Sequence, residues 1–226
     1  SEVEARKAAI LKSIAQQEKL TPELEKKIAE CWQKSALEDI YQPYKPKRRT
    51  KAQIAREKGF EPLADSIWNG EDFDDTEENL QYARDILAER IADNADIRGL
   101  VRRLFATKAV LKSSAAPDKT SEPTKFEQYY DFEESISSMP SHRYLAIRRG
   151  QKEGVLWVRL QLDKEKTLED VMSLVLSQRD SMPAPAKNIE QIQLAAEDAY
   201  KRLLAPSCEI DVTVEKKMES DRSAVD

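Results

Sequence analysis

Between Leu37 and Thr50 the chain reads Leu-Glu-Asp-Ile-Tyr-Gln-Pro-Tyr-Lys-Pro-Lys-Arg-Arg-Thr, and here lies its densest positive charge: Lys45, Lys47, Arg48, Arg49 and Lys51. Pro43 and Pro46 fix their own φ and push the residues before them towards extended backbone, so the cations sit in a ribbon that cannot coil into a helix. Tyr41 and Tyr44 beside them offer flat faces for cation–π contact or base stacking. That combination suits phosphate-backbone binding with loose stacking, and Tyr44, Lys45, Lys47, Arg48, Arg49 and Lys51 are the expected nucleic-acid contacts. The competing reading is internal pairing. Asp65, Glu71, Asp72, Asp74, Asp75, Glu77 and Glu78 follow with no lysine or arginine among them. On the residues alone both readings stay open. Arg143, Arg148 and Arg149, beside Gly150, make a second basic spot, where arginines at a helix end also serve as dipole partners.

Other chemistry is missing its parts. Gly59, Gly70, Gly99, Gly150 and Gly154 are all the glycines, and no two of them form a GxG or GxxxxGK phosphate-cradling pattern. His142 is the single histidine, and Cys31 and Cys208 stand far apart, so neither a zinc set nor a Cys–His pair can be assembled. Asp74-Asp75 and Glu77-Glu78 fall at a loop and a helix start, where the helix dipole alone favours carboxylates. No Ser-His-Asp set can be nominated. The expectation is a non-enzymatic chain with no metal and no cofactor, its two thiols reduced and serving as buried filler.

Stepping from these residues to the elements that must hold them, the 226-residue chain carries 40% hydrophobic and 35% charged residues with a net charge of −5. The charge excess suits amphipathic helices, and a negative total confines any polyanion binding to local patches. Thr21-Pro22-Glu23 reads as a helix start, Ser35 with Glu38 and Thr50 with Gln53 as capping boxes. Leu24, Ile28, Cys31 and Trp32 fall on one helical face. The stripes Leu80–Ile91 and Ile97–Phe105 predict two longer helices. Thr50 to Trp68 faintly echoes a helix-turn-helix, but its second helix is acidic and ill-suited to a DNA groove. Ser113 to Thr124 is the best linker candidate. Beyond it come an aromatic knot (Phe126, Tyr129, Tyr130, Phe132), a helix capped by Ser141, a helix capped by Thr167 and Asp170, and another helix from Ile189 to Leu204. At 154–162, Leu156, Val158, Leu160 and Leu162 alternate onto one face of the clearest strand. From Glu209 to Val214 local propensity favours strand, while Ile210, Val214 and Met218 also fit one helical face. The fold class is mainly α, with a small β element near 154–162. The expected domains are a helical 1–112 with a basic proline-rich loop at 42–51, a linker at 113–124, and a second, mainly helical part at 125–226. No apolar run approaches the roughly 20 residues a membrane helix needs, and the acidic N-terminus shows no signal-peptide pattern, so a cytoplasmic protein is expected.

The run LEDIYQPYKPKRRTKAQIAREKGFEPL at 37–63 resembles the signature of the Tex family of bacterial transcription accessory proteins. The likeness continues through Ala83-Arg84-Asp85-Ile86-Leu87, Pro140-Ser141-His142-Arg143, Ala146-Ile147-Arg148-Arg149-Gly150 and Asp198-Ala199-Tyr200-Lys201-Arg202-Leu203-Leu204. It implies a long helical protein with an RNase H-like domain, a helix-hairpin-helix region and an RNA-binding OB-fold, none of whose motifs occur here. The chain is therefore expected to be an N-terminal helical portion of such a protein, and the family's helicity implies a helix from Glu209 onward. The expected function is a non-catalytic module binding RNA or DNA through the basic loop. The alternative is a protein scaffold docking RNA polymerase or the remaining domains of the same factor.

Overall fold

Ser1 accepts a hydrogen bond from the Glu4 N–H while the Glu4 carboxylate takes the terminal ammonium, and this capping box opens α1 (Glu2–Gln16). The structure is a computed structural model that describes residues 1–46, 49–119, 123–180 and 183–225. Thr21 caps the Leu24 N–H and Pro22 takes the first position of α2 (Pro22–Ala29), as its sequence predicts. In α3 (Lys34–Tyr41) the start differs from expectation. Gln33 sits at the cap position, and Glu38 leaves the Ser35 box for a charge-assisted fork with Arg6, Nε–Oε1 2.6 Å and Nη2–Oε2 3.0 Å. Pairs at helical spacing (Ile10 and Ile14, Leu24 and Ile28, Leu37 and Tyr41) close one small core. Trp32 does not join it. Helix α2 ends before it, and its ring stays 60% exposed with the Lys7 ammonium 3.3 Å from its centroid. A 3-10 turn, Gln42–Tyr44, follows α3 around Pro43.

The chain forms two compact units, Ser1–Arg49 and Thr50–Asp226, so the residues on both sides of the expected linker at 113–124 share the second unit. Thr50 caps α4 (Lys51–Glu57) through the Gln53 N–H. It is followed by α5 (Glu61–Trp68), α6 (Glu77–Asp93) and α7 (Ala95–Lys108). Helix α6 is the axis of this unit, with α4, α5 and α7 packed on it. Its Leu80, Ala83, Ile86, Leu87 and Ile91 are buried, and so is Arg84. Burying a guanidinium demands full hydrogen bonding. Arg84 meets the demand with Gln191 Oε1 at 2.6 Å, Gln81 Oε1 at 2.8 Å and the Glu77 carboxylate.

A three-stranded antiparallel sheet comes next in the order β2-β1-β3: β1 is Val110–Ala115, β2 Asp131–Ser135 and β3 Leu156–Gln161. Ser113, Ser114 and Ala115 thus belong to the central strand. Their linker-like composition is small residues serving between two flanking strands, with the buried Ser113 hydroxyl donating to Tyr129 O at 2.7 Å. Phe126 and Tyr129 are buried, and Tyr129 meets Phe132 edge-on with ring centroids 5.3 Å apart. Strand β3 alternates as predicted: Leu156 and Leu160 are buried while Trp157, Arg159 and Gln161 face solvent.

The inner face is covered by α8 (Ser141–Lys152), whose cap position holds Pro140 rather than Ser141. Helix α9 (Lys164–Ser177) starts earlier than Thr167 because Asp163 accepts the Lys166 N–H; Thr167 instead donates back to Asp163 O. The last elements run without a break: α10 (Ala186–Asp198), a π-helical turn at Ala199–Leu204, and α11 (Ala205–Val225). The stretch from Glu209 is therefore helical, as the family resemblance implied. Among the described residues no helix is long and apolar enough to cross a membrane.

Candidate nucleic-acid interface

The basic ribbon is divided by the unit boundary. In the first unit Tyr44 ends the 3-10 turn, partly buried against the small core, and its carbonyl accepts from Gln17 Nε2 at 2.7 Å. Lys45 is exposed and contributes, after Arg6, to holding the Glu38 carboxyl below the usual range. Lys47 and Arg48 lie outside the described residues. Arg49 is exposed. In the second unit Lys51 is exposed in the first turn of α4.

The second spot has an internal division of labour. Arg143 pairs with the Glu134 carboxylate of β2 and is committed to the fold. Arg148 donates to Gln151 Oε1 at 3.0 Å. Arg149 and Lys152, both exposed on the last turns of α8, have no ion-pair or hydrogen-bond partner among the described residues. Helix α8 points these cations outward because Tyr144, Ile147 and Gly150 on its other face are buried. Gly150 is essential to that seating. A Cβ there would lie 2.5 Å from Leu156 Cδ1 and 2.9 Å from its Cγ, so only glycine lets α8 come this close to β3. Tyr144 ties α8 to α11 by donating to Thr213 O at 2.9 Å, and burial pushes its hydroxyl above the ordinary value.

Arg148, Arg149, Lys152 and Lys217 line one groove with a single acid, Asp221, which Lys217 already holds at 2.5 Å. Gln151 lines this groove and two neighbours: one between α8, β3 and α11, which adds Arg159, and one on the open sheet face, which adds Trp157 and Lys112. Sequence reasoning missed Lys152, Arg159 and Trp157. The signal was present in the strand itself. Once Leu156, Val158 and Leu160 were assigned inward, Trp157 and Arg159 had to face out, and a tryptophan on the wet side of a strand is an anomaly.

Among the described residues no three His, Cys, Asp or Glu side chains gather into a metal-holding group. Cys208 is fully buried, and burial, opposed by Arg98 and Arg102, keeps its thiol above the ordinary value; Cys31 is only half-buried, contrary to the expectation of two buried thiols.

Comparison with known proteins gives a consistent picture. The family model described as Tex central region-like matches residues 56–226. Protein tex of Bordetella pertussis is 45% identical over 177 residues, covering 71% of this chain and 22% of its own length. The transcriptional accessory protein Tex of Neisseria gonorrhoeae is 41% identical over 180 residues, 74% of this chain and 24% of its own. An uncharacterized Bacillus subtilis protein, YdcI, is 32% identical over 238 aligned residues, 97% of this chain and 32% of its own. The chain thus spans about a quarter to a third of the length of these relatives.

Proposed function

The chain belongs to the Tex family, and from that premise we propose that it is a non-catalytic, cytoplasmic module of a transcription accessory factor that holds nucleic acid on basic surfaces. The observation that carries the reading is the exposed state of Arg149 and Lys152 at the end of α8, without a partner among the described residues, next to Arg148 and with the groove's acid Asp221 held by Lys217 and the adjacent Glu153 held by Lys125. Cations left without internal partners on a chain of net charge −5 are a local field suited to phosphates. The ribbon Tyr44, Lys45, Lys47, Arg48, Arg49 and Lys51 is the second contact of the same reading. Each neutralised phosphate contributes about −0.9 to the log–log salt slope on duplex DNA and about −0.7 on single strands. Arg149→Ala with Lys152→Ala is expected to flatten the slope by roughly 1.4 to 1.8, and alanines at 47, 48 and 49 by roughly two to three. Slopes unchanged in both variants overturn the reading.

A second reading has its own observation. Ile210, Val214 and Met218 repeat every fourth residue along α11 and are 62%, 52% and 57% exposed, an apolar stripe left open by the described residues. It favours a docking role towards RNA polymerase or the remaining domains of the factor. Ile210→Asp with Val214→Asp, assayed for pull-down of purified RNA polymerase and of the rest of a full-length relative, separates the two roles. Loss of capture with an unchanged salt slope assigns the stripe to docking.

A further inference from the structure

The open face of the sheet carries a charge gradient across its three strands. On β2 the outward residues are Asp131 and Glu133. On the central strand they are Lys112 and Ser114, with the Lys112 ammonium 3.4 Å from Glu133. On β3 they are Trp157, Arg159 and Gln161. Register places Lys112 opposite Arg159 and Ser114 opposite Trp157. The acids therefore lie two strands, about 10 Å, from the Trp157 line. Lys112 intervenes and already neutralises one of them.

Trp157 is 62% exposed. Arg159 is exposed on the same face, about 7 Å further along the strand, and has no partner among the described residues. An indole left in water costs solvation free energy, and this one stays uncovered by the described residues of its own unit. Beyond the β3 edge the surface runs through Gln151 to Arg148, Arg149 and Lys152. A flat aromatic ring bordered by unpaired cations thus continues the basic surface of α8.

We infer that Trp157 and Arg159 form a stacking platform for single-stranded nucleic acid, the base lying on the indole and the sugar-phosphate backbone running over the β3 edge towards Arg149 and Lys152. This rests on the proposed nucleic-acid role and names its ligand class. In a duplex the base faces are hidden in the stack, so a lone exposed indole gains nothing from it, whereas an unpaired base presents a π-face to any aromatic ring. Sequence tolerance follows, because every base has such a face. Strand addition at the same edge is opposed at Leu160, whose free-side N–H already donates to Glu209 Oε1 at 2.9 Å. What remains for a ligand is the face and the cations.

The test uses the 226-residue chain with a fluorescent single-stranded oligo-U, oligo-dT and a duplex of equal length, at two salt concentrations. Single strands are expected to bind more tightly than the duplex. Trp157→Ala should weaken single-strand binding about tenfold or more and leave duplex binding unchanged; Trp157→Phe should restore most of the loss. Quenching of tryptophan fluorescence on single-strand binding should disappear in Trp157→Phe, although Trp32 and Trp68 remain. Equal single-strand affinity in Trp157→Ala, or equal affinity for duplex and single strand, overturns the platform. If Arg149→Ala with Lys152→Ala still flattens the salt slope in that case, the basic surface stands and only the stacking fails. If no nucleic acid binds at any salt concentration, both fail.

Discussion

Glu209 on α11 accepts a hydrogen bond from the backbone N–H of Leu160 on β3, 2.9 Å away, with its carboxylate turned onto the strand's unpaired edge. An edge strand is a template for pairing with another chain, and a side chain that occupies its amides is one way to blunt it. Glu209→Ala removes that partner from a half-buried N–H, which should cost about 1–3 kcal/mol. It should also introduce concentration-dependent self-association. Thermal melting and sedimentation velocity at two protein concentrations check both; an unchanged melt and a monomer at both concentrations would show that the edge needs no cover.

Gly150→Ala should destabilise the chain by about 1–3 kcal/mol through overpacking, outweighing a gain in helix propensity of about 1 kcal/mol. The physical reason is the buried Leu156, whose Cδ1 and Cγ occupy the place of the new methyl, with Phe126 Cδ1 3.1 Å away. Adding Leu156→Val should recover part of the loss. Urea unfolding of the single and double variants reads the coupling, and additive losses would refute the contact.

At low pH the site between α4 and α6 should weaken. Burial works to raise the Glu89 carboxyl, but hydrogen bonds from Arg56 Nη1 and the Thr50 hydroxyl, both 2.8 Å, win and hold it below the ordinary value of 4.5. A depressed carboxyl gives stability that is present above its unfolded value and lost as pH falls through the folded one. Glu89→Gln should therefore cost about 0.5–1.5 kcal/mol near neutrality, the Arg56 end being a third exposed. The difference from the parent should shrink below about pH 4.5. Paired denaturation curves at pH 7 and pH 3.5 measure it, and a constant difference would contradict the assignment.

The two thiols should titrate unequally. Cys31 is half-buried beyond the end of α2, whereas Cys208 is fully buried with its thiol shifted up by burial. With a disulfide reagent at pH 8, one thiol should react in the folded chain and two in denaturant. Equal native rates would place Cys208 in a more open setting than the packing shows.

Much of the fold was readable because its determinants are local. Thr21 and Thr50 cap the helices their spacing announced, and the β3 alternation correctly sorted Leu156 and Leu160 from the wet side. Misplaced caps share one cause. At Ser35, Ser141 and Thr167 a hydroxyl stands one to four residues inside a helix whose start lies earlier, at Gln33, Pro140 and Asp163. Ser113 to Ala115 looked like linker because small residues carry no periodic signal; only the two flanking strands make them a strand. The family resemblance identified the Tex membership and the helical tail, which propensity alone left open. The platform at Trp157 and Arg159 needed tertiary structure, since Gln151 and the α8 cations reach it only once Gly150 has brought helix and strand together.

The π-helical turn at Ala199–Leu204 acts as a phase shifter in an otherwise continuous rod. Pro206 has no N–H to give, and the Ala205 N–H reaches back to Tyr200 O, so the wide turn sits just ahead of the position where an ordinary α-helix would be bent. The one additional residue rotates everything downstream by about 100° relative to a plain helix. That rotation turns Cys208 and Val212 inward while Ile210, Val214 and Met218 look out. Closing the wide turn into plain α-helix with the sequence unchanged would undo that rotation and swing Cys208 and Val212 away from α7 and α8, whereas deleting one residue here would leave a plain helix with every downstream side chain still on its present face.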